Sequence, residues 1–551
     1  MKEIKRIILP IIFTIMIGTL IYVFFNMVNK SDIKLVINGY NTRFDKEPYV
    51  ENDIVFLTFD TIFKNIDDEI FYDDVTKKII ITDYLNYIKL ELNQKKILHN
   101  LEEKEIANAA ILKNKTVYIP INEFKDIYNI DINYNESQNV ITIDKKDNIT
   151  TAKIAVNNLE VYSNTYGIKN NILSEEESFI IDYLDKDEIV TMYPEVLKHN
   201  RLYKIKTSDN IVGYVEKNAI VDIVNKKEEV KEEIKQDKVI MYWQLDASTY
   251  TLTKETGVNV VSPRAYDLKN SNGDIDKKDL RGYINEAKSY GYEVWPHIIN
   301  GFDSSNFTAT TTSNMVNSES TRENFIRNLI RILKEDNVDG INLDFEMMKA
   351  EDKDMFTQLV KELAPMVRSI DKKISIDMYF VDYLDRKNIG EAVDYTILMG
   401  YDQHGKWSSE SGSVSEIPWV EKNINSLISD SNISAEKIIL GVPFYTRFWI
   451  EQEGKVKPTV LTWPMNLVDR YLDYHIPVSR QIKQYDEISM QNYIEYTSGK
   501  LTKKIWLEDE TSMKNRVDLI NKYKMAGLAA WRKGQETYNI WSIIDQNLER
   551  W

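Results

Sequence analysis

From residue 238 onward, short apolar runs alternate with longer stretches of helical spacing, and they do so eight times. The runs begin near 239–243, 258–261, 293–297, 340–345, 374–378, 395–399, 438–442 and 528–531. Strand-length apolar segments separated by helices predict a parallel sheet. Eight of them over 238–551 predict an α/β fold of the (β/α)8 TIM-barrel type. The interval 455–504, between the seventh and eighth runs, is too long for an ordinary loop and is predicted to fold as an insertion on the barrel rim. Before 238 the texture differs. Residues 31–148 carry short apolar alternations broken by Asn, Asp and Lys, with a weak repeat: 55–59 followed by 79–82 is echoed by 117–121 followed by 140–143. That pattern predicts two similar α+β units. Residues 149–225 read as a second small β-rich domain, a β-barrel, and the charged run 226–237 lacks a core-forming stripe, as a linker does.

The N-terminus adds a membrane signal. Residues 7–28 are 22 consecutive uncharged, mostly apolar positions, about 33 Å as a helix, which matches the hydrocarbon thickness. Lys2, Lys5 and Arg6 precede them, so a single-pass helix with a cytoplasmic N-terminus and an extracellular bulk is expected. No small-x-small cleavage site follows, which favours an uncleaved anchor over a signal peptide. With 86 acidic against 70 basic residues the net charge is -16, which argues against nucleic acid or an anionic membrane surface as the main partner. The absence of cysteine removes thiol chemistry and disulfides but does not choose a compartment.

The richest chemistry lies at the end of the fourth run, Asp339-Gly-Ile-Asn-Leu-Asp-Phe-Glu346. Positions i, i+2 and i+4 of a strand share a face, so Asn342, Asp344 and Glu346 project together while Leu343 and Phe345 pack behind them. A carboxyl beside another in a dry pocket resists ionisation, which suits Glu346 to proton donation near neutral pH. The alternative is a strand followed by a solvated acidic turn, at the cost of burying carboxylates to no purpose. Other strand ends aim further groups at the same mouth: Met399, Tyr401 and Asp402 from the sixth, Trp531 from the eighth, Trp243 from the first, Asp377 and Tyr379 from the fifth, and Tyr445 with Arg447 after the seventh. For Trp243 and Tyr445 plain packing competes with substrate contact. His404 has no G-x-S-x-G elbow beside it, and no HExxH or close histidine pair occurs, so neither a serine nucleophile nor a metal or other cofactor is expected.

The octapeptide resembles the D-G-x-D-x-D-x-E signature of glycoside hydrolase family 18, the chitinase-like enzymes, and Met399-Gly-Tyr401-Asp402 and Trp531 resemble that family's later elements in the same order. Asn342 stands where the family has its first inner Asp, as in the branch that acts on bacterial cell wall and spore cortex. The resemblance implies a retaining, substrate-assisted glycosidase, one of the exceptions to the two-carboxylate scheme. Glu346 is then the acid, Asp344 orients the N-acetyl group, Tyr401 bonds its oxygen, and Asn342, Asp402, Trp531, Trp243, Tyr445, Met399, Tyr379 and Asp377 line the substrate site. The implied partner is an N-acetylglucosamine-containing polysaccharide, peptidoglycan or a related polymer, cleaved at β-1,4 linkages outside the cell. Chitinase-like lectins on the same scaffold leave a non-catalytic glycan-binding protein as the alternative, and a third reading has the barrel merely positioning the N-terminal modules. Residues 31–148 resemble the copper amine oxidase N-terminal-like module, a stalk that implies no copper, and 149–225 resemble a bacterial Src-homology-3-like domain through Gly213-Tyr214-Val215.

Overall fold

All eight apolar runs of the C-terminal half form strands: β1 Val239–Gln244, β2 Val260–Leu268, β3 His297–Ile299, β4 Gly340–Asp344, β5 Lys373–Met378, β6 Tyr395–Met399, β7 Ile438–Pro443 and β8 Gly527–Trp531. Each pairs in parallel with its sequence neighbour, and β1 also pairs with β8, which closes the ring. In β1, β4 and β7 every residue is buried, as expected of strands covered by side chains within and helices without. Two strands depart from the sequence reading. The second begins later and runs longer than 258–261, and the third is split by Pro296, which cannot donate to the ladder, leaving Glu293–Val294 as a separate short strand. At the seam between β8 and β1, a Cβ on Gly527 would lie 1.9 Å from the Val239 carbonyl oxygen, so only glycine lets these strands meet.

The computed structural model describes residues 33–165, 179–196, 201–227, 237–245, 247, 252–301, 306–456, 460–475 and 483–550. The anchor expected over 7–28 lies outside them, as does 228–236 of the expected linker. Among the described residues no helix is long and apolar enough to cross a membrane. The chain divides into two compact units, with the barrel unit running from residue 234 and including 82–88 and 99–102.

Helices such as Glu319–Asp336 clothe the barrel. That helix buries Phe325, Ile326, Leu329, Ile330 and Leu333 along one stripe and ends at Asn337, whose left-handed φ of 51° caps it. Inside the ring, Met241, Trp243, Val260, Trp295, Tyr395, Ile397, Ile439 and Ala529 pack together. The floor beneath the strand ends is therefore solid and apolar. The insertion starts earlier than expected, at strand Tyr445–Gln452, and reaches strand Leu501–Trp506. Helix Met465–His475 packs on its antiparallel sheet, with Phe448, Met465, Val468, Leu472, Ile494, Ile505 and Leu507 as the core.

In the N-terminal unit, strands Ile54–Thr58 and Thr116–Pro120 are paired antiparallel as the centres of the two repeated units. The first unit's strand leads into helix Phe59–Asn65, where the Thr58 side chain accepts from the Thr61 amide, whereas Pro120 leads only into the 3-10 turn Ile121–Phe124. Between 148 and 227 the described residues build a seven-stranded antiparallel sheet around Ile154, Val161, Val190, Ile205 and Val215, so 226–227 belong to a strand rather than to a linker.

Candidate active site

Strand register builds the site. His297, Asn342 and Ser375 are neighbours across β3, β4 and β5. Two residues further on, and so on the same face one layer nearer the mouth, stand Asp344 on β4 and Asp377 on β5. Asn342 is fully buried and saturated: its Oδ1 accepts from Trp243 Nε1 at 2.9 Å, and its Nδ2 donates to Ser375 Oγ at 3.1 Å and to Asp377 Oδ1 at 2.9 Å. The alternation of the strand puts Asn342 on the same face as Asp344. Its two amide hydrogens are instead committed to β5, and its contribution is to hold Asp377.

Asp344 is 3% exposed and hydrogen-bonds Glu346. Burial, the nearby Asp377 and Glu346, and that hydrogen bond hold the Asp344 carboxyl well above the usual carboxylate range. Glu346, half-buried just beyond β4, is also raised, first by burial and then by Asp402, while the bond from Asp344 acts the other way. Burial, with Glu346 adding to it, holds Asp377 well above the usual carboxylate range too, against the Asn342 bond. Three carboxyls all raised in this way do not all ionise together, so the cluster retains a proton. That is what an acid catalyst needs.

Around them, Tyr401 follows β6 and its hydroxyl is pushed up by burial and by Asp377, Tyr445, Asp344 and Glu346, so it stays neutral. Asp402 accepts from Tyr445 OH at 2.5 Å and from Arg447 at 2.6 Å. Its charge is thus anchored by two groups from the strand that opens the insertion. Trp531, at the end of β8, packs at 64° against Trp243 with ring centroids 5.7 Å apart. Trp243 itself is sealed in the core, where it supports Asn342 and offers no face to a ligand. Met399 lies two positions beyond the core residue Ile397 and is half-buried. Tyr379 hydrogen-bonds Tyr383, which in turn accepts from the Met347 amide at 3.0 Å and so steadies the turn after Glu346.

Three contributors escaped the sequence reading. Asn300, just past β3, accepts from the Glu346 amide at 3.0 Å and donates to the Glu346 carbonyl at 2.8 Å and to Thr312 Oγ1 at 3.0 Å. Ser375 and Tyr383 were also missed. Ser375 sits two before Asp377, so the alternation rule that found the fourth strand could have found it. Nothing local marks Asn300 or Tyr383. His404 turns Nδ1 to the Ser413 carbonyl at 2.8 Å, a loop-fixing bond in place of any nucleophilic role. Exposed Trp407, also unflagged, stands at the rim with the Arg447 guanidinium 5.9 Å from its ring centroid.

Known proteins share this arrangement to different extents. The chain is 25% identical over 311 residues to a Bacillus subtilis (strain 168) protein described as an uncharacterized glycosylase, YvbX, covering 54% of this chain and 87% of that one. It is 22% identical over 265 residues to the cortical fragment-lytic enzyme of Bacillus anthracis, covering 45% of this chain and only 59% of the relative. The crystal structure of the class V chitinase from Nicotiana tobaccum superposes with a TM-score of 0.50 at 18% identity, over 56% of this chain and 98% of that one, which supports the barrel fold. The copper amine oxidase N-terminal domain pattern matches residues 36–143. The pattern of glycosyl hydrolases family 18 matches residues 210–536, more than half of the chain and every strand end described above, and the chain belongs to that family.

Proposed function

We propose that this glycoside hydrolase cleaves β-1,4 linkages after N-acetylglucosamine in peptidoglycan or a related polymer, with retention, using the substrate's own acetamide as nucleophile. The observation that carries the reading is the hydrogen-bonded Asp344–Glu346 pair, raised as a unit at the end of β4. Moving the shared proton from Asp344 to Glu346 leaves an acid facing the glycosidic oxygen and a carboxylate able to accept the acetamide N–H. Glu346 then protonates the departing oxygen as the C1–O bond breaks, and the acetamide oxygen closes on C1. Tyr401 donates to that oxygen, and Asp344 balances the positive charge of the oxazolinium. Water next gives its proton to Glu346 and attacks C1 from the face just vacated, which restores the acetamide and the starting configuration. Trp531 floors the sugar, while Asp402, Tyr445, Met399 and Tyr379 border it.

Peptidoglycan is favoured over chitin because Asn342 matches the wall-acting branch and because a cortical fragment-lytic enzyme is among the relatives. The apolar run at 7–28 supports attachment to the cell membrane with the barrel outside. Glu346→Gln removes the proton and keeps the shape, so turnover of purified peptidoglycan, read as new reducing ends, should fall by about 100- to 10,000-fold. Mass spectrometry of the wild-type digest should find N-acetylglucosamine at the new reducing end. Tight binding of N-acetylated glycans without any release would instead mark a lectin.

A further inference from the structure

The family signature places a second acidic group one layer below Asp344, and this chain has Asn342 there. We propose that Asp377, on the neighbouring strand, supplies the missing inner carboxylate as a positioning residue whose charge keeps the shared proton on the Asp344–Glu346 pair. The inference rests on the acid role given above to that pair.

Asp377 is 5% exposed at the end of β5, on the inner face and in the same layer as Asp344. Asn342 delivers one amide hydrogen to Asp377 Oδ1 at 2.9 Å, and the residue's own oxygen is occupied by Trp243. A donor fixed in this way favours the ionised form of its acceptor. Among the described residues, Asp377 is the one of the three carboxyls given an N–H partner, and Asp344 and Glu346 are bonded to each other. Burial and Glu346 raise Asp377 as well. In this proposal it is the Asn342 hydrogen bond that tips the cluster's negative charge to β5 and its proton to β4. The substitution at 342 thus moves the inner charge sideways by one strand, with the amide as relay. Other charged or titratable groups around the cluster are Arg264 on β2, which favours ionisation of Asp344, neutral His297 on β3, Tyr379 and Tyr383 after β5, Tyr401 after β6, and Asp402 beside Glu346. Among the carboxylates it is Asp377 that acts most strongly on Asp344.

The test compares kcat against pH on a soluble N-acetylglucosamine oligomer for the wild type, Asp377→Asn, and the exchange Asn342→Asp with Asp377→Asn. Asp377→Asn keeps shape and can still accept from Asn342, so a merely structural role leaves the profile where it was. The proposal expects the basic limb to move down by about one pH unit, and the exchange to bring it back. A limb that superimposes on the wild type, or one that the exchange fails to restore, overturns it. Infrared titration of the protonated carboxyl band gives a readout independent of turnover. Loss of that band at lower pH in Asp377→Asn supports the proposal even if the enzyme reading fails, and an unchanged titration overturns it. Turnover that survives Glu346→Gln defeats the acid role of Glu346 alone, and the infrared result still decides the role of Asp377.

Discussion

Asn300 treats Glu346 as one strand treats the next: its side-chain amide both accepts from and donates to the same residue's backbone, and its last hydrogen goes to Thr312. Every polar atom of that side chain is used, so the acid's backbone is fixed from a neighbouring strand end. Asn300→Ala frees that backbone without touching a carboxyl. It should lower kcat by about 10- to 100-fold through misplacement while changing KM much less, a split that steady-state kinetics reads directly. Asp344 makes the opposite kind of prediction. Its folded-state proton affinity is raised, so the folded protein holds a proton that the unfolded chain releases above pH of about 4. Stability from this group is complete below that point and is lost as pH rises toward the raised folded value. Asp344→Asn carries no such loss. It should be inactive, melt with the wild type in acid, and melt progressively higher than the wild type as pH increases to neutrality and beyond, by thermal scans at matched pH. Equal shifts at all pH values would mean that the carboxyl is not held protonated.

At the scale of elements, the loop that carries Tyr401 and Asp402 depends on a buried ion pair from outside the barrel strands. Arg516, on helix Glu510–Tyr523, meets Glu508 at 2.6 Å with neither side chain exposed. It also donates to the Ser415 carbonyl at 2.8 Å, and Ser415 Oγ donates at 2.5 Å to the carbonyl of Gly400, the residue before Tyr401. Gln491 of the insertion donates to Glu508 at 3.0 Å, so the rim domain and the catalytic loop share one anchor. Removing Arg516 alone strands a buried carboxylate, and Arg516→Met should cost about 3–5 kcal/mol in urea unfolding. Adding Glu508→Met should recover much of that loss, because the pair's net worth is smaller than the penalty of breaking it. This network shows where sequence reading stops. The eight strands were legible because apolar periodicity is local, and Asp344 and Glu346 because alternate positions of one strand share a face. Arg516 and Glu508 join residues about a hundred positions from Gly400, and Asn300 meets Glu346 only because β3 and β4 are adjacent in space. Such partners leave no mark in either segment. Asp377 was legible as a strand-end acid, but its tie to Asn342 needed the register of two strands.

For the whole molecule, the charge of -16 bears on the substrate as much as on solubility. Peptidoglycan presents neutral sugar hydroxyls and acetamides, but its stem peptides carry free carboxylates at neutral pH. A strongly acidic enzyme approaching such a mesh is repelled over a distance set by screening, about 30 Å at 0.01 M salt and about 8 Å at 0.15 M. Asp344 and the positioning Asp377 are shielded from this effect, since both are sealed among strand ends, and Glu346 is half-buried beside them. Salt should therefore act on encounter and leave chemistry alone. On intact peptidoglycan kcat/KM should rise several-fold between 0.01 and 0.15 M salt, while on an uncharged N-acetylglucosamine oligomer it should stay flat, and kcat should be flat on both. Parallel rate measurements on the two substrates separate the terms. A fall with salt on the wall substrate would mean that an attractive basic surface, rather than the net charge, governs approach.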